Sequence, residues 1–267
     1  MESFIVLVKY AFLGILQGIT EPIPVSSSGH LVIVQKLFGI GTNEDMSFEI
    51  LMNFASLLAV LLLFKKDILS LAKGSIDYIV TRRDEKKASF LFVFYLIIAT
   101  VPAGVVGILF EDEIAETFKD LHYLAGALFI TGFALWMIRN LKGRKGEKNI
   151  SITDALVVGV AQSFALIPGI SRSGATIVAA LGIGMKRETA FLFSFLLYIP
   201  VSLGTAILSF KDFQVNELLI PNTIAFILSF IFSYISLKWF KGIVERGNLK
   251  YFAYYCFALS ILLFIIT

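Results

Sequence analysis

Six apolar segments of membrane-spanning length constrain the fold of this chain more than any other feature. They cover residues 48–64, 88–110, 122–141, 186–208, 222–241 and 249–266. Backbone N–H and C=O groups in lipid must be paired within the protein, so an apolar segment of about 20 residues forms a helix. With 57% hydrophobic and 16% charged residues, the 267-residue chain is predicted to be a single all-α polytopic membrane domain with about six full transmembrane helices.

A polar run from Gln17 to His30, QGITEPIPVSSSGH, stands out against this apolar pattern. It combines the Glu21 carboxylate, the His30 imidazole, two prolines and three serines, which are costly in hydrocarbon unless they line a cavity or serve a function. The residue before a proline is pushed out of helical geometry, so the first apolar helix, residues 1–19, should end before Pro22. This run is therefore the first candidate functional site.

A second polar run repeats the first one after 145 residues. The shared pattern is GxxQ, eight residues, then SxSG, and it occurs once in each half of the chain. Matches among glycine and polar residues in apolar surroundings indicate an internal duplication, with copies at about residues 1–141 and 150–267. The matched pairs are Gly14 and Gly159, Gln17 and Gln162, Ser26 and Ser171, Ser28 and Ser173, and Gly29 and Gly174.

Lysine and arginine mark one side of the predicted membrane protein. Residues 65–87, 139–148 and 238–250 are rich in them, as cytoplasmic loops are, and all three are interpreted as loops on that side. Residues 152–184 begin and end on the basic side, so they cross the membrane twice or form a re-entrant hairpin. Polar loops at membrane depth favour two re-entrant helical hairpins in an inverted-topology repeat. The first hairpin is predicted to open to the extracytoplasmic side.

The second run, PGISRSGAT from Pro168 to Thr176, has Arg172 as its only charge. A guanidinium stays charged at every relevant pH and offers a fork of donors, which suits a phosphate or carboxylate group inside a membrane. The structural alternative is an arginine that reaches the headgroups or pairs with Glu21. A cradle of donors for a bound anion is predicted from the neighbouring residues Gly169, Ser171, Ser173, Gly174 and Thr176.

The first run supplies groups for acid–base and nucleophilic chemistry. Gln17 and Glu21 are four residues apart, so they share one helix face if the helix extends that far. The carboxylate can act as a general base or, with Gln17, ligate a divalent cation. Ser27, His30 and Glu21 supply a nucleophile, a proton donor and a base. Structural alternatives are headgroup contact for the glutamate and helix capping for the histidine. Ligand contact and backbone capping are both open for Ser26 and Ser28.

Other polar residues have simpler interpretations. Cys256 is the single cysteine, so no internal disulfide is available. Glu49 lies at the end of a predicted span and is interpreted as an interfacial carboxylate. Nothing in the composition suggests nucleic acid as a partner.

Together the two runs resemble the undecaprenyl-pyrophosphate phosphatases of the BacA type, the bacitracin-resistance proteins. The family's first motif, (E/Q)xxxE leading into PVSSxGH, is similar to the run from Gln17 to His30. Its second motif, PGxSRSxxT, is similar to the run from Pro168 to Thr176, and the resemblance extends over essentially the whole chain. Two positions depart from the pattern. Gln17 stands where many members have Glu, and Asn53 lies in a stretch, ILMNFAS, where relatives commonly have a Gln-Leu-Gly-like run.

The resemblance implies an enzyme of the bacterial plasma membrane that removes the terminal phosphate of a C55 polyprenyl diphosphate. The products are inorganic phosphate and the lipid monophosphate carrier, which is reused in cell-wall synthesis. The resemblance also implies Glu21, Ser27, His30 and Arg172 as the catalytic set. It further implies a divalent cation, Mg²⁺ or Ca²⁺, with Glu21 and Gln17 as candidate ligands. Candidate partners are the polyprenyl lipid, the bilayer and a second copy of the chain in a homodimer.

Two mechanisms and one rival function stay open. Ser27 attacks phosphorus and passes its proton to Glu21 or His30, or Glu21 activates water directly. The rival is a transporter or flippase of a phosphate-bearing lipid, because inverted repeats with broken helices and a midplane site are typical of transporters. A transporter would need Arg172 but has little use for the other three residues. A purely structural membrane protein would leave Glu21 and Arg172 unexplained.

Overall fold

The structure, a computed structural model, describes residues 2–38, 46–117, 120–209 and 219–267. Within these ranges the regular structure is helical, which confirms the prediction of an all-α protein. A short 3₁₀ turn at Glu147–Asn149 precedes the second half of the chain. The helices are α1 (Glu2–Thr20), α2 (Ser27–Phe38), α3 (Met46–Leu63), α4 (Lys65–Thr81), α5 (Asp84–Thr117), α6 (Leu121–Ile138), α7 (Ile152–Phe164), α8 (Arg172–Gly182), α9 (Arg187–Ser209), α10 (Leu219–Arg246) and α11 (Lys250–Ile266).

Four helices of the described chain are long and apolar enough to cross a membrane, namely α5, α6, α9 and α10. A fifth span results if α3 and α4, which meet at an angle of 72°, are counted as one. The sixth predicted span corresponds to α11, whose 17 residues are about 26 Å long and fall just short of the ~30 Å hydrocarbon core. The protein is therefore a polytopic membrane protein with four or five full spans in its described part.

Residues 65–87, predicted to be a basic loop, are mostly helical. After a bend at Phe64, α4 continues to Thr81, and Arg82 ends it with a φ of 55° in the left-handed region. Lysine and arginine are good helix formers, so a basic stretch does not by itself interrupt a helix. The Tyr78 ring packs on Phe90 of α5 with the ring centroids 5.2 Å apart. The basic segment is thus a helix packed along the start of α5.

Each polar run contains the break between two helices, as predicted. The first helix ends at Thr20, before the turn that contains Pro22 and Pro24. The turn between α7 and α8 contains Gly169, whose φ is 96°. α7 and α8 have 13 and 11 residues, about 20 and 17 Å, so neither crosses the hydrocarbon core alone. These lengths favour a re-entrant hairpin, and the orientation of each hairpin in the membrane stays a prediction.

Each helix pair packs closely on another helix through a glycine of the repeat. A Cβ at Gly14 of α1 would lie 2.4 Å from the Ala225 carbonyl oxygen of α10. A Cβ at Gly159 of α7 would lie 2.5 Å from the Ala99 carbonyl oxygen of α5. Only glycine permits such a close backbone approach. These matched contacts fit a duplicated architecture.

Aromatic packing holds together the helices that carry the site. Phe191 of α9 contacts Phe64, Phe195 and Phe240, with ring centroids between 4.6 and 5.9 Å apart. Such ring contacts add to the stabilisation from burial alone. The cluster fixes α9 against α10 and the end of α3.

Candidate active site

The first polar run forms a turn that ends at the N-terminus of α2. Ser26 has a φ of 67°, in the left-handed region that non-glycine residues rarely adopt. Its Oγ accepts a hydrogen bond from the Gly29 N–H at 3.3 Å, and its carbonyl lies 2.7 Å from His30 Nδ1. These bonds hold the turn, and Ser27, the next residue, is the first residue of α2.

The second polar run forms a comparable turn before α8. Ser171 caps the helix by accepting the Gly174 N–H at 3.1 Å, and Arg172 is the first helical residue. Thr131 of α6 bridges this turn, since its Oγ1 donates to the Gly169 carbonyl and accepts from the Ser171 N–H, both at 3.3 Å. Both runs therefore end at a helix N-terminus.

The two turns meet, and their contact brings Glu21 to Arg172. Arg172 Nη2 lies 3.9 Å from Glu21 Oε1. A Cβ at Gly174 would be in van der Waals contact with Pro24, at 3.4 Å. The two polar runs, distant in sequence, thus form one site.

Glu21 is held by hydrogen bonds from its own run. Its Oε2 accepts from Ser27 Oγ, and also from Gln17 Nε2 at 2.9 Å. Gln17 Nε2 donates in addition to Asn53 Oδ1 of α3 at 3.1 Å. The Glu21 side chain is only 9% exposed, so its interactions with Arg172 and Ser27 are weakly screened. The carboxylate is placed to take the hydroxyl proton of Ser27.

Arg172 is oriented by α9. Its guanidinium carbon lies 4.8 Å from the centre of the Tyr198 ring, and Nη1 donates to Ser202 Oγ at 3.3 Å. Tyr198 in turn donates to the Asn53 backbone carbonyl at 3.0 Å. Contact with an aromatic face restrains the guanidinium, so its remaining donors have a defined direction. Arg172 is thus turned toward Glu21 within the protein.

A polar cavity borders the Glu21–Arg172 pair. Its volume is about 70 Å³, several times the ~15 Å³ that one water molecule needs. Both polar runs and α3 contribute to its wall. The polar wall residues are Gln17, Glu21, Ser26, Ser27, Ser28, Glu49, Asn53, Ser171 and Arg172. The cavity therefore has room for a charged group larger than water.

A second cavity, of about 20 Å³, borders the same pair. Five of its wall residues follow wall residues of the first cavity by the 145-residue shift of the repeat. These pairs are Ser27 and Arg172, Ser28 and Ser173, Leu31 and Thr176, Glu49 and Ser194, and Asn53 and Tyr198. The 145-residue shift of the sequence pattern thus relates the wall of one cavity to that of the other. The two cavities differ in chemistry, because the second has a hydroxyl where the first has the Glu49 carboxylate.

The predicted site residues divide between these two cavities and the turns. Glu21 and Arg172 border both cavities, and Ser173 and Thr176 border the second one. The predicted residues Gln17, Ser26, Ser27, Ser28 and Ser171 border the first cavity. The predicted substrate-binding glycines, Gly169 and Gly174, instead shape the second turn.

His30 borders neither cavity. It is buried, with 7% exposure, and its Nε2 lies 2.6 Å from the Tyr255 hydroxyl of α11. The other ring nitrogen contacts the Ser26 carbonyl. Both ring nitrogens are therefore already in contact with protein groups, the Tyr255 hydroxyl and the Ser26 backbone carbonyl. The roles predicted for His30 from the sequence, proton donor or acceptor of the Ser27 proton, stay predictions, and these contacts do not support them.

Several residues around the site were not predicted from the sequence. Glu49, interpreted as interfacial, lies on the wall of the first cavity, together with Asn53 one helical turn later. Their spacing of four residues was the available signal. Tyr198 and Ser202 orient Arg172, and nothing in the apolar sequence around them indicated this role. Tyr198 could have been found by applying the repeat shift to Asn53.

The first cavity offers oxygen ligands that suit a divalent cation. Glu21 and Glu49 are carboxylates on its wall, and Gln17 Oε1 is buried without a hydrogen-bond partner. Mg²⁺ sites commonly use one or two carboxylates and complete the shell with water and substrate phosphates. Among the described residues, no three His, Cys, Asp or Glu side chains are grouped as a metal site. A cation here would need amide, water or substrate oxygens as further ligands.

Comparison with known proteins agrees with the motifs. The family model described as bacitracin resistance protein BacA matches residues 10–262. Undecaprenyl-diphosphatase 2 of Bacillus thuringiensis (strain Al Hakam) is 54% identical over 266 residues, which cover 98% of each chain. Undecaprenyl-diphosphatase 1 of Bacillus licheniformis is 55% identical over 264 residues, 97% of each chain. The undecaprenyl-diphosphatase of Oceanobacillus iheyensis is 54% identical over 270 residues, covering 99% of this chain and 98% of its own. This chain therefore belongs to the bacitracin resistance protein BacA family.

Proposed function

We propose that this protein is a membrane phosphatase that hydrolyses undecaprenyl diphosphate to undecaprenyl phosphate and inorganic phosphate. Its relatives are named undecaprenyl-diphosphatases and align with nearly the full chain. The observation that carries the proposal is the Ser27–Glu21 hydrogen bond opposite Arg172 in one cavity. A hydroxyl bonded to a carboxylate has the geometry of an activated nucleophile, and a guanidinium binds the phosphate that it attacks.

In this proposal the diphosphate occupies the first cavity. Its negative charge lies against Arg172 and the N-termini of α2 and α8, both of which begin at the cavity wall. Helix N-termini present backbone N–H groups and the positive end of the helix dipole, which stabilise anions. Phosphoryl transfer is accelerated mainly by groups that neutralise the oxygens of the transferring phosphoryl group. In this proposal Arg172 and the N–H groups of the two helix N-termini together neutralise those oxygens.

Ser27 is the proposed nucleophile. Its Oγ forms a bond to the terminal phosphorus, the bond from that phosphorus to the bridging oxygen breaks, and undecaprenyl phosphate leaves. The hydroxyl proton passes to Glu21. Water then hydrolyses the phosphoserine, which releases inorganic phosphate and restores Ser27. In the alternative mechanism Glu21 activates a water that attacks phosphorus directly, and Ser27 only orients that water.

A divalent cation, Mg²⁺ or Ca²⁺, is part of the proposal. Glu21 and Gln17 are its predicted ligands, and Glu49 is added because it borders the same cavity. When bound, the cation would neutralise charge on the phosphate oxygens. The orphaned Gln17 Oε1 supports this assignment, since a buried carbonyl oxygen without a donor is costly unless an electropositive group satisfies it.

We place the protein in the bacterial plasma membrane with its basic segments in the cytoplasm. With that orientation, the first hairpin is predicted to open to the extracytoplasmic side. Large apolar side chains, among them Ile97, Phe133, Ile207 and Ile231, are exposed on the long helices and suit contact with lipid and with the C55 chain. A homodimer stays a prediction.

Phosphate release from undecaprenyl diphosphate by the purified protein tests the proposal. The wild-type protein should release phosphate, a chelator should suppress the release, and Mg²⁺ or Ca²⁺ should restore it. Ser163→Ala is a matched control, because this α7 hydroxyl donates to the Gly159 carbonyl and borders neither cavity. A wild-type protein that releases no phosphate in detergent or in vesicles, with cation present, would reject the proposal.

A transporter of a phosphate-bearing lipid is the second candidate. The second cavity favours it, because this cavity is the repeat counterpart of the first and shares Glu21 and Arg172 with it. In alternating access, one site at the interface of the two repeats is exposed to each side of the membrane in turn. In vesicles with labelled polyprenyl phosphate, lipid movement without phosphate release would favour the transporter. Phosphate release without lipid movement would favour the enzyme.

A further inference from the structure

We propose that Tyr255 of α11 is a positioning residue for Ser27, acting through His30. This inference deepens the proposed phosphatase function and rests on it for the kinetic tests. Three groups form a chain of contacts: the Tyr255 hydroxyl, the His30 ring and the Ser26 carbonyl. His30 Nε2 lies 2.6 Å from the hydroxyl, and Nδ1 lies 2.7 Å from the carbonyl oxygen.

The Ser26 carbonyl determines where the His30 ring carries its proton. A carbonyl oxygen only accepts hydrogen bonds, so the 2.7 Å contact places the proton on Nδ1. In the neutral imidazole Nε2 is then an acceptor, and the Tyr255 O–H is its donor. The Ser26 carbonyl therefore selects the Nδ1–H tautomer of His30, and the Tyr255 hydroxyl, as the donor to Nε2, fixes the rotation of the ring.

The Ser26 carbonyl connects the His30–Tyr255 contact to Ser27, because Ser26 and Ser27 share a peptide bond. The left-handed φ of Ser26, 67°, is unfavourable for serine and persists only when the surroundings hold it. Two donors of His30 converge on the Ser26 carbonyl, the backbone N–H at 3.2 Å and the ring Nδ1–H at 2.7 Å. Ser27 follows directly and donates to Glu21. A rotation of the Ser26 peptide would therefore move the Ser27 hydroxyl.

α11, which carries Tyr255, is anchored on α6 and also contacts the first polar run. Ser260 Oγ donates to the Ala125 carbonyl of α6 at 2.7 Å, which anchors α11 on that helix. Cys256, next to Tyr255, places its Sγ 3.7 Å from the Pro24 carbonyl of the first run. Tyr255 itself is 46% exposed and borders neither cavity, so it acts on Ser27 through His30 and not on the substrate.

Tyr255→Phe removes the hydroxyl and keeps the ring. We expect kcat for phosphate release to fall about tenfold, as for one well-placed hydrogen bond, with KM changed by less than about twofold. Tyr254→Phe is the matched control, because Tyr254 is also about half exposed on α11 and packs on Trp136 at 5.3 Å. It should keep the wild-type kcat. An effect of Tyr255→Phe no larger than that of the control, or an effect on KM alone, would overturn the inference.

A double-mutant cycle tests whether Tyr255 acts through His30. In a His30→Ala protein the additional Tyr255→Phe change should alter kcat by less than about twofold. An undiminished effect in that background contradicts the inference.

Two substitutions of His30 separate positioning from proton transfer. Asn places an amide N–H near the position of Nδ1, whereas Gln places it near Nε2. We expect His30→Asn to be at least about tenfold more active than His30→Gln, because only Asn still holds the Ser26 carbonyl. Equal activity of the two variants contradicts the positioning role.

The tautomer can also be measured without turnover. The chain has two histidines, so protein labelled with ¹⁵N-histidine gives two sets of ring signals, and His122→Gln assigns them. His30 should carry its proton on Nδ1 alone in the wild-type protein and in Tyr254→Phe. In Tyr255→Phe the ring is free to rotate away from the Ser26 carbonyl, so its signals should show a mixture of the two tautomers. A proton on Nε2 in the wild type overturns the inference even in an active enzyme. If the tautomers are as expected but the protein releases no phosphate, the proposed phosphatase function is rejected and the His30–Tyr255 contact is not.

Discussion

Arg172 is held at the site by three chemically different neighbours. Glu21 supplies opposite charge, Tyr198 supplies an aromatic face, and Ser202 accepts a hydrogen bond. The aromatic contact and the directed hydrogen bond both depend on the planar guanidinium. The identity of this residue, and not only its charge, therefore matters for a bound phosphate.

Arg172→Lys keeps the charge and loses the planar fork. We expect kcat/KM for phosphate release to fall about 30-fold or more, from a loss on the order of 2 to 5 kcal/mol of transition-state stabilisation, while the protein still inserts into the membrane. Arg139→Lys is the matched control, because Arg139 also contacts an aromatic ring, that of Trp136, outside the site. Turnover of Arg172→Lys near that of the wild type would identify Arg172 as a structural residue.

The hydrogen bond between Ser27 and Glu21 leads to a test of the two mechanisms. If Ser27 attacks phosphorus, Ser27→Ala should abolish turnover, and rapid quenching of the wild type with substrate labelled in the terminal phosphate should trap label on a Ser27 peptide. If Glu21 activates water, Ser27→Ala should keep a measurable rate and Glu21→Gln should be more damaging. More than about a tenth of the wild-type rate in Ser27→Ala, without a labelled peptide, would favour the water mechanism.

At the scale of the elements, the helices that lead into the two polar runs are positioned by close helix packing. Gly14 and Gly159 let α1 and α7 lie against the backbones of α10 and α5. Packing between helices in lipid depends on shape, because lipid tails are as apolar as the side chains they would replace. The two glycines are therefore expected to matter more for stability than their lack of a side chain suggests.

Gly14→Ala should separate α1 from α10. The new Cβ would lie 2.4 Å from the Ala225 carbonyl oxygen, and overpacking of this kind costs about 1 to 3 kcal/mol. We expect a lower midpoint of thermal unfolding in detergent. Gly126→Ala is the control, since a Cβ at that position of α6 meets nothing within 4 Å, and alanine is the better helix former. Equal midpoints for the two variants would contradict the packing argument.

At the scale of the whole molecule, the distribution of lysine and arginine predicts the orientation. In intact cells, Glu147→Cys should be shielded from an impermeant thiol reagent, whereas Glu113→Cys should be labelled. Both positions are exposed, so shielding would report the side of the membrane and not burial within the protein. Background labelling should be low, because the natural Cys256 is buried. The reverse labelling pattern would invert the proposed orientation.

The sequence by itself determined the helical membrane architecture and the two polar runs. Apolar segments in lipid have no stable alternative to helices, and prolines and glycines interrupt helices locally, so both features depend on neighbouring residues alone. The number of full spans and the helical state of residues 65–87 were less predictable, because basic residues mark a side of the membrane without ending a helix. That Glu21, Ser27 and Arg172 belong to one site was predicted from the repeat and from the resemblance of both runs to the BacA family, and not from the chemistry of either run alone.

Only the tertiary structure decided which side chains surround that site and which way each one points. Asn53 and Tyr198 reach it because α3 and α9 pack beside the two turns, and this packing depends on contacts between residues far apart in the chain. His30, which the sequence placed among the catalytic groups, is turned toward Tyr255 by a contact across 225 residues. The direction of a side chain is set by its neighbours in space, and a local motif contains no information about a partner on the last helix.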